Sequence, residues 1–156
     1  MATVIMKNSK LNKEEGYKYI IYFRKAKKLY KNCVEKDLKK YNLTQNEIEI
    51  IMYINRTANQ NTAKDLVEYL GLSKGMISRT IDQLISKEIL QIEKDKIDKR
   101  ICRLNINPDC TGLTSDLKKS RTKFLAALAN NIEVEKLDIF ASVLEDMIDN
   151  LKELEK

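Results

Sequence analysis

The sequence predicts a mainly α-helical fold carrying a single two-stranded β-hairpin, and three observations lead there. Apolar residues recur at helical spacing through most of the 156 residues. The period shortens to two in one place, "ILQIEKDKIDKRICRLNIN" (residues 89–107), where two alternating runs flank a charged turn. Four glycines, one proline, no tryptophan and 33% charged residues suit packed helices with short connections.

Residues 13–40 read as one long helix, with Tyr17, Ile20, Ile21, Phe23, Tyr30, Val34 and Leu38 at helical spacing among many lysines. "LTQNEIEIIMYI" then offers Thr44 as N-cap with Glu47 three places on, a capping box, and Ile48, Ile51, Met52 and Ile54 as a buried stripe. After the polar break "NRTANQN", Thr62 caps a short helix with Asp65 at its third position. Leu66, Val67 and Leu70 face inward there, and Gly71 ends it. Ser73 caps the next helix, whose buried face is Ile77, Ile81 and Leu84. The hairpin follows, with Leu90 and Ile92 alternating on one strand, a turn at Asp95–Lys99, and Cys102, Leu104 and Ile106 on the other. Pro108 opens a long helix over about 109–131 carrying Leu113, Leu117, Phe124, Leu125 and Leu128.

In the last segment Leu137, Phe140, Leu144, Met147, Leu151 and Leu154 step by three and four, an a/d seam that needs a partner helix. The charge distribution suggests where a partner is found. Residues 1–43 hold twelve Lys/Arg against four Asp/Glu, and residues 132–156 hold three against eight. Termini of opposite sign can pack within a chain or between two, or simply be solvated faces. The seam favours a homodimer. The expected organisation is an N-terminal dimerisation helix at 1–43, a central lobe of short helices and the hairpin at 44–107 and C-terminal dimerisation helices at 108–156, in one continuous structural unit. Tyr17, Ile20 and Phe23 join the seam residues as the expected dimer contacts.

One stretch, "LSKGMISRTIDQL" (72–84), is unusual for a helix opening. Glycine in an opening turn costs about 1 kcal/mol relative to alanine, yet Gly75 stands there among Lys74, Ser78 and Arg79. The two short helices meet at the tight turn "GLS" and the hairpin follows, which is the order of a winged helix-turn-helix. In that geometry the second helix enters the DNA major groove by its N-terminal residues, and a slim front is what close approach to base edges requires. The candidate contacts on this helix are Ser73, Lys74, Gly75, Met76, Ser78 and Arg79, with Arg79 suited to reading guanine through its fork. Ser73 either caps the helix or binds phosphate, and Met76 and Thr80 either touch thymine methyls or pack at the rim. At the hairpin tip Lys94, Lys96, Lys99, Arg100 and Arg103 face Asp95 and Asp98. A charged tip alone is usually a solvated turn. Behind a helix-turn-helix it is a candidate for the backbone or minor groove, where Arg100, held by Asp98, is the expected insertion.

A net charge of +6 with pI near 9.1 favours a polyanionic partner. Histidine is absent, and Cys33, Cys102 and Cys110 are scattered without a CxxC pair, which excludes the usual zinc sites, a disulfide framework and histidine-based catalysis. No cofactor is expected. No apolar run reaches membrane-spanning length and "MATVIMKNSKLNK" lacks the pattern of a secretory signal, so a cytoplasmic location is expected. "GLSKGMIS" is not a phosphate-binding Walker loop, and Glu14–Glu15 has no evident pocket, so the chain does not read as an enzyme. The rival to an operator-reading regulator is a winged module that binds proteins, or binds DNA without regard to sequence.

The run from "LTQNEIEIIMYI" through "DLVEYLGLSKGMISRTIDQLISKEILQIEKDKIDKRICRLNIN" resembles the MarR family of bacterial transcriptional regulators. The matching features are the "LT" helix opening, "LGLSKG-I-R-ID-L" in the second helix and "D--D-R---L-I" in the hairpin. The resemblance implies a homodimer on a pseudo-palindromic operator, with Ser73, Lys74, Ser78, Arg79, Asp98 and Arg100 facing DNA. It also implies a small-molecule effector in some members, for which Tyr17, Tyr22, Tyr30, Tyr41 and Tyr53 are either lining residues or core. Cys33 lies too late in its helix to match the reactive cysteine of peroxide-sensing members and reads as a buried, inert thiol. Two departures touch element ends: Glu88 stands where the family often has glycine, and "INPDC" replaces the usual "LTxxG".

Overall fold

A computed structural model describes residues 13–57 and 60–154; the stretch 1–12, the pair 58–59, the last two residues and the side chains of Lys13, Glu14, Glu15 and Leu38 lie outside it. Helix α1 spans Lys13–Lys40, α2 Gln45–Arg56, α3 Ala63–Leu70 and α4 Lys74–Ser86. Strands β1 (Leu90–Lys94) and β2 (Cys102–Ile106) pair antiparallel, with Leu90 opposite Ile106 and Lys94 opposite Cys102. A 3₁₀ turn at Pro108–Cys110 leads into α5, Thr111–Leu128, and α6 runs Val134–Leu154. The expected helix at 109–131 is therefore shorter. Asn107 and Pro108 set up the 3₁₀ turn, with Asn107 Oδ1 accepting from Asp109 N at 3.2 Å, before α-helical bonding begins. The chain forms two compact units, divided between Arg121 and Thr122.

The caps are formed by the residues that the sequence nominates. Thr44 Oγ1 accepts from Glu47 N at 3.3 Å while Glu47 Oε2 accepts from Thr44 N at 2.6 Å, and Thr62 and Asp65 repeat this capping box at 3.2 and 2.9 Å. Gly71 ends α3 at φ 63°, a left-handed conformation in which a Cβ is strained. At the far end of α4, Glu88 adopts φ 57°. Glu88 N donates to Ile85 O and Ile89 N to Leu84 O, both at 2.9 Å, a Schellman motif that glycine would form without the Cβ penalty.

The first unit holds the core. Helix α2 is buried nearly all round through Ile48, Ile50, Ile51, Tyr53 and Ile54, more fully than the single stripe expected of it. Val34 of α1, Leu66 of α3, Ile77 and Leu84 of α4, Leu104 of β2 and Leu117 of α5 pack in the same cluster. On β1 only Leu90 is buried, and Ile92 is half exposed, because the hairpin runs outward past the edge of the core. Cys33 is exposed rather than buried. Val34 faces the core with Tyr30 and Asp37 at i−4 and i+3, and Cys33 is rotated about 100° off that face.

Polar ties join α1 to the start of α5. Asp116 Oδ2 accepts from Lys40 Nζ at 2.6 Å and Tyr41 Oη at 2.7 Å, which lowers its pKa to about 2. Ser120 Oγ donates to the buried carboxylate of Asp37 at 2.5 Å.

In the second unit, α6 has no buried residue. Phe140, Met147, Leu151 and Leu154 of the predicted seam are exposed, and Leu137 and Leu144 are half exposed. On α1, Tyr17, Ile20 and Phe23 are exposed as well.

Candidate nucleic-acid interface

Helix α4 is fixed from both ends by the first turn of α2. At its front Asn46 Nδ2 donates to Met76 Sδ at 3.3 Å. Behind it Lys87 Nζ donates to Glu47 Oε1 at 2.7 Å and to Asn42 O at 2.6 Å. Burial pushes the Glu47 carboxyl up, but the Lys87 ammonium and the Thr44 donors outweigh it and hold the pKa below its usual value. These bonds tie the C-terminal end of α4 to the start of α2 and to the turn before it.

The front of α4 faces water. Ser73, Lys74, Gly75, Met76, Ser78 and Arg79 are all exposed, as one contiguous front. Ser73 is the cap, its Oγ accepting from Met76 N at 3.3 Å. The Lys74 and Gly75 amides stand ahead of the first intrahelical bond, from Ile77 N to Ser73 O, and so remain available to an acceptor outside the chain. A Cβ placed on Gly75 would meet nothing within 4 Å, so nothing inside the fold requires glycine there. Lys74 and Arg79 make no ion pair among the described residues. Thr80 does not belong to this front: it is buried and its Oγ1 donates to Met76 O at 2.8 Å.

The hairpin turn is organised by its two aspartates. Asp95 Oδ1 accepts from Ile97 N at 2.9 Å and Asp98 N at 3.1 Å, while Oδ2 accepts from Arg103 Nε at 2.8 Å. The two backbone donors and the Arg103 guanidinium lower the Asp95 pKa to about 2. Asp98 holds Arg100 in a bidentate grip, Nε to Oδ1 and Nη2 to Oδ2 at 3.1 Å each. The Arg100 side chain is nonetheless 91% exposed, so its direction is set while its outer edge stays open. Lys94, Lys96 and Lys99 are exposed around it.

Arg103 differs from its neighbours. It points back into the lobe, donating to Asp95 and, through Nη1, to Asn61 Oδ1 at 3.2 Å. Asn61 is the residue that sequence reasoning missed. It is buried, accepts from Leu104 N on its carbonyl at 2.8 Å, and donates from Nδ2 to Leu104 O at 3.0 Å and to Asn105 Oδ1 at 3.1 Å. Through it the stretch before α3 docks the hairpin, so helix and hairpin are held at a fixed spacing. Between them lies a groove of about 570 Å³, walled by Val67, Ile77, Ile92 and Leu104 with Lys64 and Lys74.

The tyrosines divide by environment. Tyr53 is buried with its ring 4.6 Å from Tyr69, Tyr30 and Tyr41 are half buried, and Tyr17 and Tyr22 are exposed. Among the described residues no group of three His, Cys, Asp or Glu could hold a metal ion, and no helix is long and apolar enough to cross a membrane.

Comparison with known proteins places this geometry. A MarR transcriptional regulator from Methanosarcina mazei Go1 superposes with a TM-score of 0.73 at 21% identity, covering 91% of this chain and 99% of that one. A MarR/EmrR family transcriptional regulator from Acinetobacter sp. ADP1 gives 0.74 at 19% identity, covering 89% and 97%. A mutant of S. aureus MepR bound to an oligodeoxyribonucleotide gives 0.56 at 16% identity, covering 85% and 97%. Residues 43–102, from the capping box of α2 to the first residue of β2, match the model of the MarR family. That segment is thus similar to the MarR family, and the chain shares the fold of the MarR regulators above.

Proposed function

We propose that the protein is a sequence-specific transcriptional regulator that binds a pseudo-palindromic operator as a homodimer. The carrying observation is the single exposed surface that α4 and the hairpin make together. Lys74 and Arg79, which make no ion pair among the described residues, and free helix-start amides stand on the first, and Arg100, aimed by Asp98, stands on the second. Helix N-terminal amides and unpaired cations suit phosphate, while a guanidinium fork on the helix front suits a guanine edge. Ser73, Lys74, Gly75, Met76, Ser78 and Arg79 are assigned to the major groove. Lys94, Lys96, Asp98, Lys99 and Arg100 are assigned to the backbone and the minor groove beside it. The DNA-bound MepR structure, similar in fold, supports the choice of partner.

Dimerisation rests on the apolar seam of α6, exposed in the single chain, and on opposite charge at the two ends of the sequence. Occupancy of a promoter operator by such a dimer would repress. Release by a small-molecule effector belongs to the same reading, since the first unit has cavities of about 430 and about 570 Å³, the size small ligands occupy. A DNA-reading role places the protein in the cytoplasm.

Arg79→Ala tests the assignment in a mobility-shift series over base-substituted duplexes. It should cost about 1–3 kcal/mol at the bases that Arg79 reads and relax preference there. A uniform loss over all duplexes would make Arg79 a phosphate contact. No loss would remove α4 from the interface.

A further inference from the structure

Ile97 stands at the crest of the hairpin turn with 97% of its surface exposed, more than any other large hydrophobic among the described residues; the next, Leu154, is at 83%. Its place is nonetheless fixed. The Ile97 amide is bonded to Asp95, and the following Asp98 amide shares the same oxygen. Both carboxylates of the turn are engaged within the hairpin, Asp95 by Arg103 and Asp98 by Arg100. Lys96 and Lys99, close by on either side in sequence, make no ion pair among the described residues. The crest is thus an aliphatic side chain on a rigid loop, ringed by cations whose local counter-charges are already used. The fold gains nothing from that isoleucine, and turns of this kind are ordinarily completed by polar residues.

We infer that Ile97 is an apolar contact of the hairpin with the DNA minor groove, its side chain packing on deoxyribose between phosphates engaged by Lys96 and Lys99. The minor groove has the matching chemistry, apolar sugar walls between two lines of phosphate, and proteins set isoleucine among other apolar residues into it. The cationic ring selects this surface over an apolar patch on another protein. The inference rests on the DNA-binding reading above and adds to it a determinant of affinity that is not electrostatic.

The test titrates wild type, Ile97→Ala, Ile97→Leu and Lys99→Ala by fluorescence anisotropy, over a range of salt, against the duplex that wild type selects from a random library. Ile97→Ala should weaken binding about tenfold at every salt concentration, the loss of one buried aliphatic contact. Its dependence of log K on log salt should match wild type, because no counterion release is lost, and Ile97→Leu should keep most of the affinity. Lys99→Ala should instead flatten that dependence by about 0.9. Wild-type affinity for Ile97→Ala overturns the inference and leaves the DNA reading standing. A changed salt dependence for Ile97→Ala overturns it too, since the effect would then be one of charge. If wild type selects no duplex, the DNA reading fails and takes the inference with it.

Discussion

At the scale of single residues, two positions show local chemistry set against the demands of the fold. Glu88 holds a left-handed conformation that closes the Schellman motif after α4, and a side chain there is disfavoured by roughly 1–2 kcal/mol. Glu88→Gly should therefore raise stability by about 0.5–1 kcal/mol in urea denaturation, the relief being offset in part by the greater freedom of glycine in the unfolded chain. A loss would mean that the carboxylate has a role that the geometry does not reveal. Asp95 is the second case, its pKa lowered from an ordinary 3.8 to about 2 by two amides and Arg103. A carboxyl depressed in the fold stabilises it fully above the unfolded value and loses that effect as pH falls through the folded one. The order of the hairpin turn should thus persist at pH 5 and fade between about pH 4 and 2, read by the amide chemical shifts of Ile97 and Asp98. Unchanged shifts down to pH 2 would contradict the account.

Between elements, the hairpin and α4 act as one surface because Asn61 docks the first against the lobe. Asn61→Ala would leave the Leu104 carbonyl short of a partner and release Arg103, at a cost of about 1–3 kcal/mol. It should also weaken DNA binding although Asn61 is buried; a change in stability with unaltered affinity would show that the hairpin position is set elsewhere. The elements themselves were legible in sequence wherever a local rule decided them. Thr44, Thr62 and Ser73 cap as side-chain chemistry dictates, and the period-two runs at Leu90 and Leu104 became strands. What stayed illegible depended on contacts distant in sequence. Asn61 read as one more polar residue in a break, and Arg103 looked like a tip cation until Asp95 and Asn61 were seen to turn it inward. Cys33 was misjudged, and Thr80 was left open between groove and rim, for one reason: a rotation of 100° per residue decides exposure, and spacing alone leaves the phase of a helix face open at its edges.

For the whole molecule, the apolar surface that the single chain leaves exposed on α6 and on the start of α1 is the surface that the proposed homodimer would cover. If the proposed homodimer forms through this seam, Leu144→Lys with Met147→Lys should convert it to monomers by light scattering while the first unit keeps its helical circular dichroism. Persistence of the dimer would move the interface off α6. Because the proposed two-fold pair would present two copies of α4, dimerisation and operator reading are linked in it, and the same variant should lose affinity for a full site far more than for a half-site.

The central claim, that this chain reads a DNA sequence as a symmetric pair, is tested most directly by selecting bound sites from a random duplex library with the wild-type protein. The account predicts an inverted repeat with half-sites about one helical turn apart. Recovery of no motif, with binding that vanishes as salt rises, would contradict it and leave a winged lobe that holds DNA by charge alone.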